Sequence, residues 1–238
     1  MKLYLLGVNG PFPASGGATS GYLVSADRRL IQMDFGSGVL SRLTAVCPPE
    51  DLDAILISHW HYDHVCDLLP LIYRLQAAGR VLDIYGPADG DSSIRKIASE
   101  ASCFRLHDVQ AGDRLEIHSV QVQAGPARHP VPGIGFRLEA EGKILGYTGD
   151  TNTLPSLADF YRGCGLLLAD GLFPEADWTE RLPHLSAVLA ASLARDAGAK
   201  RLIVTHLNPL FSPSLLLREA RAIFPDTLLA EAGNVYTL

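Results

Sequence analysis

The sequence predicts a mixed α/β fold in which helices cover a sheet or a pair of packed sheets. Two observations carry this. Short apolar runs recur along all 238 residues, most of them bounded by Gly, Pro, Asp or Asn, which marks strands. Helical patterns fall between some of the later runs, and the chain closes helix–strand–helix–strand.

The predicted strands are LYLLGV (3–8), GYLVSA (21–26), RRLIQMDF (28–35), DAILIS (53–58), VLDIYG (81–86), VQVQAG (120–125), GIGFRLEA (133–140), KILGYTG (143–149), GLLLAD (165–170) and RLIVTH (201–206). The pattern DLLPLIYRLQAAGR (67–80) predicts a helix stopped by Gly79. SAVLAASLARDAGAK (186–200) predicts another, with Ser186 as N-cap and Gly198 near its end. Ser214 is the expected cap of LLLREARAIF. No repeat, low-complexity segment or linker interrupts the chain, so one domain over 1–238 is expected.

Composition narrows the function. Hydrophobic residues make up 47% and charged residues 19%, as in ordinary globular proteins. Net charge is −6 from 20 basic and 26 acidic residues, without a Lys/Arg block. No extended nucleic-acid surface is therefore expected. Cys47, Cys66, Cys103 and Cys164 form no CxxC pair and read as reduced thiols. The start, MKLYLLGVNGPFP, has too short an apolar run for a signal peptide, and no run approaches a membrane span. A soluble cytoplasmic protein without a membrane partner is expected.

The informative stretch is LISHWHYDHVCDLL (56–69). His59, His61 and Asp63 follow a buried-strand pattern at period two and can share one side. His64 begins the helical pattern, and a turn can swing it back. A loop of surface histidines is the plain alternative, but H-x-H-x-D-H supplies four metal donors at once. Four are too many for one open catalytic metal, so two ions are expected. Further donors lie at other strand ends: His129, Asp150 and His206. One assignment balances, with His59, His61 and His129 on the first ion, Asp63, His64 and His206 on the second, and Asp150 bridging. Zinc suits such ligands, and manganese or iron could use the same set.

HWHYDH, His129, GDT (149–151) and THL (205–207) together resemble the metallo-β-lactamase superfamily, in order and spacing along nearly the whole chain. The resemblance implies a four-layer αββα sandwich with a two-metal site at one edge. It also implies a supporting role for Asp34 behind the ligands; a plain turn Asp before Gly36 is the other reading. The glycine-rich N-terminal turn, HPVPGIGFRLE, GYTGDT and PHLSA are most similar to the ribonuclease Z-like, phosphodiesterase branch. In that branch a His placed like His184 helps protonate the leaving oxygen.

Charge counting favours an anionic substrate. Two divalent ions, Asp63, Asp150 and a bridging hydroxide leave the core positive by about one unit. A metal-dependent hydrolase of a small phosphodiester or nucleotide, attacked through that hydroxide, is the expected function. His184 is the expected proton donor. Asp63 is placed to orient the attacking water, although a metal-bound carboxylate is a poor base. An acyl hydrolase acting on a lactam, lactone or thioester is the alternative, as is a non-hydrolytic metal or redox module. Processing of tRNA is disfavoured. Only 33 residues separate Asp150 from His184, too few for the protruding arm of the tRNA enzymes, and NPLF follows THL. Relatives often dimerise, so a homodimer is open by analogy, although the sequence itself does not name the oligomeric state.

The remaining residues have plainer readings. His107 and His118 are expected to be half-exposed strand residues. Trp60 and Tyr62 are expected to pack away from the metals, and Cys66 to be a buried thiol at a helix start. Residues 7–21 read as a loop near the metal edge, without P-loop spacing.

Overall fold

A computed structural model describes all residues, 1–238. The first half runs β1 (Lys2–Gly7), β2 (Gly21–Ala26), β3 (Arg29–Met33), α1 (Val39–Leu43), β4 (Ala54–Leu56), α2 (Tyr62–Val65), α3 (Leu68–Ala78), β5 (Leu82–Gly86), α4 (Ser93–Glu100) and β6 (Phe104–Asp108). The second runs β7 (Arg114–Ile117), β8 (Val120–Pro126), β9 (Ile134–Ala140), β10 (Lys143–Tyr147), α5 (Leu157–Phe160), β11 (Leu166–Asp170), α6 (Ala187–Asp196), β12 (Leu202–Thr205), α7 (Pro213–Ile223), β13 (Thr227–Leu229) and β14 (Val235–Thr237).

Two seven-stranded sheets result, ordered β14-β1-β2-β3-β4-β5-β6 and β13-β12-β11-β10-β9-β8-β7. Each mixes an antiparallel part with a parallel part. β3 to β6 run parallel in the first sheet, and β10 to β13 in the second.

Three apolar clusters order the layers. Leu3, Leu5, Tyr22, Val24 and Met33 of the first sheet pack against Val122, Phe136, Leu138, Tyr147 and Leu168 of the second. Outside the first sheet, Ile55 and Ile84 meet Leu43, Leu71, Leu75 and Ile94 of α1, α3 and α4. Outside the second, Leu167 and Val204 meet Ala190, Ala194, Leu216 and Ala220 of α6 and α7. The architecture is therefore the αββα sandwich. β4, β11 and β12 are buried at every position because layers cover both faces.

The helix punctuation follows the sequence with one exception. α3 ends at Gly79, whose φ of 63° is the left-handed conformation glycine favours. Ser186 caps α6 by accepting from Leu189 N–H. The cap of α7 is Ser212 and not Ser214, because Pro213 fixes the first helical φ and starts the helix one residue earlier. The short α1, α4 and α5 carry too few turns to show a period, and the chain ends on two strands where one was expected. His107 lies in β6, half-exposed, with Nε2 2.6 Å from Asp83 Oδ1. His118 is in the β7–β8 turn at φ 55°, not in a strand. No helix is long and apolar enough to cross a membrane.

Phe136 is fully buried between the sheets and Tyr73 is 77% exposed on α3. Phe136→Ala is expected to cost about 3–5 kcal/mol in urea unfolding, and Tyr73→Ala less than about 0.5 kcal/mol.

Candidate metal centre

The site grows from strand ends. In parallel sheets, ligands gather at the carboxyl ends, where chains leave one layer for the next. Asp34 follows β3, Ser58 and His59 follow β4, and His129 follows β8. Asp150 follows β10, Asp170 closes β11 and His206 follows β12. His61 precedes α2, while Asp63 and His64 lie in its single turn. That turn brings His64 back toward His59, their ring centroids 4.1 Å apart.

All seven expected positions converge. His59, His61 and His129 form one set of donor atoms within 4.8 Å of one another, and Asp63, His64, Asp150 and His206 form a second. Asp150 also reaches toward the first set. Its Oδ2 lies 3.3 Å from His64 Nε2, 3.4 Å from His206 Nε2 and 3.6 Å from His59 Nε2.

The donor geometry fits divalent ions. His61 Nδ1 lies 3.0 Å from His59 Nε2 and 3.1 Å from His129 Nε2. One ring nitrogen cannot serve two imidazoles through hydrogen bonds, since it has one proton or one lone pair. Zinc–nitrogen bonds of about 2.0–2.1 Å set ligand atoms about 3.3 Å apart on a tetrahedron, close to the spacing seen. The outward nitrogens are anchored. His64 Nδ1–H donates to Asp34 Oδ2 at 2.7 Å, and His129 Nδ1–H donates to the Pro183 carbonyl at 3.3 Å. His59 Nδ1 meets Ser58 Oγ at 3.1 Å. Such partners fix the tautomer and leave the inner lone pair for a cation.

Asp34 is fully buried at φ 52°, and its carboxylate collects Ser58 N–H (2.7 Å), Ser58 Oγ–H (2.8 Å), His64 Nδ1–H and Tyr147 Oη–H. It supports the ligands without joining them. His206 is also left-handed, at φ 58°. Gly10 holds it there, because a Cβ at Gly10 would lie 2.0 Å from His206 Nε2.

Burial, then the neighbouring His64, holds His59 well below the usual imidazole range. Burial lowers His61 too, and it lowers His129 to about 4. This trio is neutral and ready to ligate near neutral pH. Burial pushes the other way on the carboxylates. Around Asp150 it is outweighed by His206, His64, His184 and His59, which hold its carboxyl well below the usual range. Burial opposes protonation of His64 as well, but Asp150, Asp34 and Asp63 raise it well above the ordinary value.

His184 belongs to neither of these two sets but forms a third with Asp150, Asp170 and His206, their donor atoms again within 4.8 Å of one another. Its Nδ1–H donates to Asp170 Oδ2 at 2.9 Å, and its ring stacks on His206 at 5.0 Å. Burial lowers its pKa, yet Asp170 and Asp150 overcome that and lift it to about 9. Asp170 was not singled out from the sequence. Its signal was present in GLLLAD, a strand pattern ending in Asp just as GYTGD does. Trp60 packs as expected, its Nε1–H donating to the Pro87 carbonyl at 2.8 Å. Tyr62 does not pack; it is 64% exposed because the turn of α2 carries it outward. Cys66, expected to be buried, is half-exposed just after α2.

A four-layer sandwich with His and Asp donors at one strand edge defines a metallo-hydrolase of the metallo-β-lactamase fold. A family model described as a beta-lactamase superfamily domain matches residues 33–207, and the chain belongs to that family. It is 29% identical over 244 residues to the probable metallo-hydrolase YhfI of Bacillus subtilis (strain 168), covering 99% of each chain. The crystal structure of YhfI, a metallo-beta-lactamase fold protein, superposes with a TM-score of 0.93 at 30% identity, over 99% of this chain and 98% of that one. Ribonuclease Z of Methanopyrus kandleri is 29% identical over 271 residues, covering 98% of this chain and 96% of the relative. Human tRNase Z, short form, shares the fold at a TM-score of 0.83 and 20% identity, over 100% and 99% of the two chains.

Two substitutions probe the supports. Gly10→Ala is expected to displace His206 and lower the divalent metal retained per chain, read by metal analysis after dialysis. Asp34→Asn turns an amide N–H₂ toward groups that need an acceptor, and is expected to weaken divalent-metal affinity about 10–100-fold in chelator competition. Unchanged affinity would detach Asp34 from the site.

Proposed function

We propose that this protein hydrolyses a small phosphodiester at two divalent ions. His59, His61 and His129 would hold one, Asp63, His64 and His206 the other, and Asp150 would bridge them. Zinc is the first choice for this donor set, with manganese or iron able to use it. When bound, the ions supply Lewis acidity toward a phosphoryl oxygen and a water ionised near neutral pH.

The observation that carries the reading is the Asp170–His184 pair. An alkoxide leaving group must gain a proton as its bond to phosphorus breaks. His184 is an imidazole whose pKa Asp170 and Asp150 lift to about 9, held by a buried carboxylate, against His206 and within 3.7 Å of Asp150. It belongs to neither proposed ligand triad, so its proton is free for the substrate. Asp63 Oδ2 accepts from His206 Nε2 at 3.1 Å and is placed to orient the attacking water. Phe173 flanks His184 at 6.2 Å between ring centroids.

A small substrate is supported over tRNA. Between Asp150 and His184 the chain forms α5, β11 and the 3₁₀ turn Glu175–Asp177, which leaves nothing for a protruding arm. The ribonuclease Z relative supports phosphodiester chemistry in general, and the acidic net charge disfavours a polyanion. The four free cysteines support a reducing, cytoplasmic setting.

Three measurements test the proposal. A panel of bis-p-nitrophenyl phosphate, nitrocefin and a thioester should show turnover of the phosphodiester, and turnover of the acyl substrates alone rejects it. His61→Ala should lose zinc and activity together. His184→Ala should keep zinc but lose about 10²–10⁴-fold in kcat on an alkyl phosphodiester, and far less on a p-nitrophenyl ester whose leaving group needs no proton. Equal losses on both esters would remove His184 as the donor.

A further inference from the structure

Between the 3₁₀ turn Glu175–Asp177 and α6 the chain forms no regular element. This strap carries His184. From Thr179 to His184 it makes a single backbone bond of its own, Leu182 N–H to the Thr179 carbonyl at 3.0 Å. Side chains hold its other carbonyls. Asn152 Nδ2 donates to the Glu180 carbonyl at 3.1 Å and also to the Leu182 carbonyl. Arg128 Nη2 donates to the Glu180 carbonyl at 3.3 Å, and His129 Nδ1–H to the Pro183 carbonyl at 3.3 Å. Trp178 Nε1–H donates to the His184 carbonyl at 2.9 Å.

Asn152 is the telling residue. It is only 1% exposed. Both of its amide hydrogens go to the strap, while Oδ1 accepts Thr153 N–H at 2.6 Å. A carbonyl can only accept, so the two strap carbonyls decide which way the amide faces. Asn152 is itself fixed. Its backbone N–H donates to the Arg128 carbonyl at 3.0 Å. Next to it, Thr151 N–H donates at 3.2 Å to Asp170 Oδ2, the same oxygen that holds His184 Nδ1–H at 2.9 Å. Any donors would satisfy a buried loop. These come from the two stretches that also carry His129 and Asp150.

We infer that Asn152 is a positioning residue for the leaving-group proton: it latches the strap so that His184 keeps its place beside Asp170 and Asp150. This rests on the donor role of His184 in the proposed function. Asn152 acts through His184 and meets no substrate. Without the latch, one backbone bond is too little to hold a six-residue segment in register.

The test runs two phosphodiesters, one with an alkyl leaving group and one with p-nitrophenol, in excess zinc or manganese. Wild-type protein, Asn152→Ala and His184→Ala are compared. Asn152→Ala should lose about 10–100-fold in kcat on the alkyl ester, the scale on which a misplacement of about 1 Å tells. It should lose far less on the p-nitrophenyl ester, with KM little changed on both. Asn152→Asp keeps the volume but sets an acceptor against two carbonyls, and should lose at least as much. Arg128→Ala removes one latch bond from a half-exposed side chain; it should repeat the pattern more weakly, and it serves where Asn152→Ala does not fold. In metal-free protein, trypsin should cut the Arg181–Leu182 bond about tenfold faster in Asn152→Ala, the weight of one or two ordinary hydrogen bonds. Equal losses on the two esters, or unchanged cleavage at Arg181, overturn the latch while His184→Ala still discriminates between the esters. If His184→Ala loses equally on both, or wild-type protein turns over neither, the donor reading falls and the latch falls with it.

Discussion

The Asp34 carboxylate is the joint on which the metal edge hangs. It sits where β3 ends in the first sheet, and it accepts from Ser58 after β4, from His64 in α2 and from Tyr147 in β10 of the second sheet. A fully buried carboxylate is costly unless its lone pairs are filled. Here they are filled by groups from both sheets and from the ligand turn, so the charge is stable only when the three are in register. Loss of any one leaves buried charge unpaired. The edge therefore assembles as a unit with the sandwich, reinforced nearby by the Tyr22 Oη···Thr205 Oγ1 contact of 2.8 Å, which also crosses between the sheets.

Two of the six non-glycine residues at positive φ lie at the same edge, the others being in turns between strands. Asp34 and His206 both lie at positive φ, and Gly149 just before Asp150 does too, at 57°. Left-handed backbone costs a non-glycine residue of order 1 kcal/mol or more, and persists where surrounding contacts enforce it. Those contacts are visible. Asp34 is held by its four donors, and His206 is confined by Gly10 on one side and the Asp63 carboxylate on the other. The reward is direction: each residue turns sharply off its strand end and aims its side chain along the edge instead of into a layer.

Much of this was legible because strand ends announce themselves. HWHYDH, GYTGD and RLIVTH each place a donor after an apolar run, and period-two spacing with one helical turn brings His59, His61, Asp63 and His64 together from local geometry alone. The central strands were readable for the same reason, since burial on both faces yields continuous apolar runs. What local pattern could not show was partnership across sequence. The role of Asp170 depends on His184, fourteen residues on, and the role of Gly10 depends on His206, almost two hundred residues away. Tyr62 was misjudged because alternation was extended one residue into α2, where helical geometry already governs direction. The helix start at Ser212 was missed because Pro213 outweighs a nearby serine.

The two halves of the cluster differ in charge, and that difference follows from what lies behind each. Behind His59, His61 and His129 stand a hydroxyl, a carbonyl and solvent, so burial leaves these rings neutral. Around His64 stand Asp150, Asp34 and Asp63, and behind His184 stands Asp170, so these carboxylates raise the pKa of both rings against the same burial. Asp150 lies between the halves and faces both. The first set is thus built of neutral imidazoles, and the second combines imidazoles with the Asp63 and Asp150 carboxylates, whose charge a cation there would balance. His184 belongs to neither of these two sets. One fold thus uses buried carboxylates for two ends: Asp34 directs an imidazole lone pair at a cation, and Asp170 keeps an imidazole proton available to a substrate.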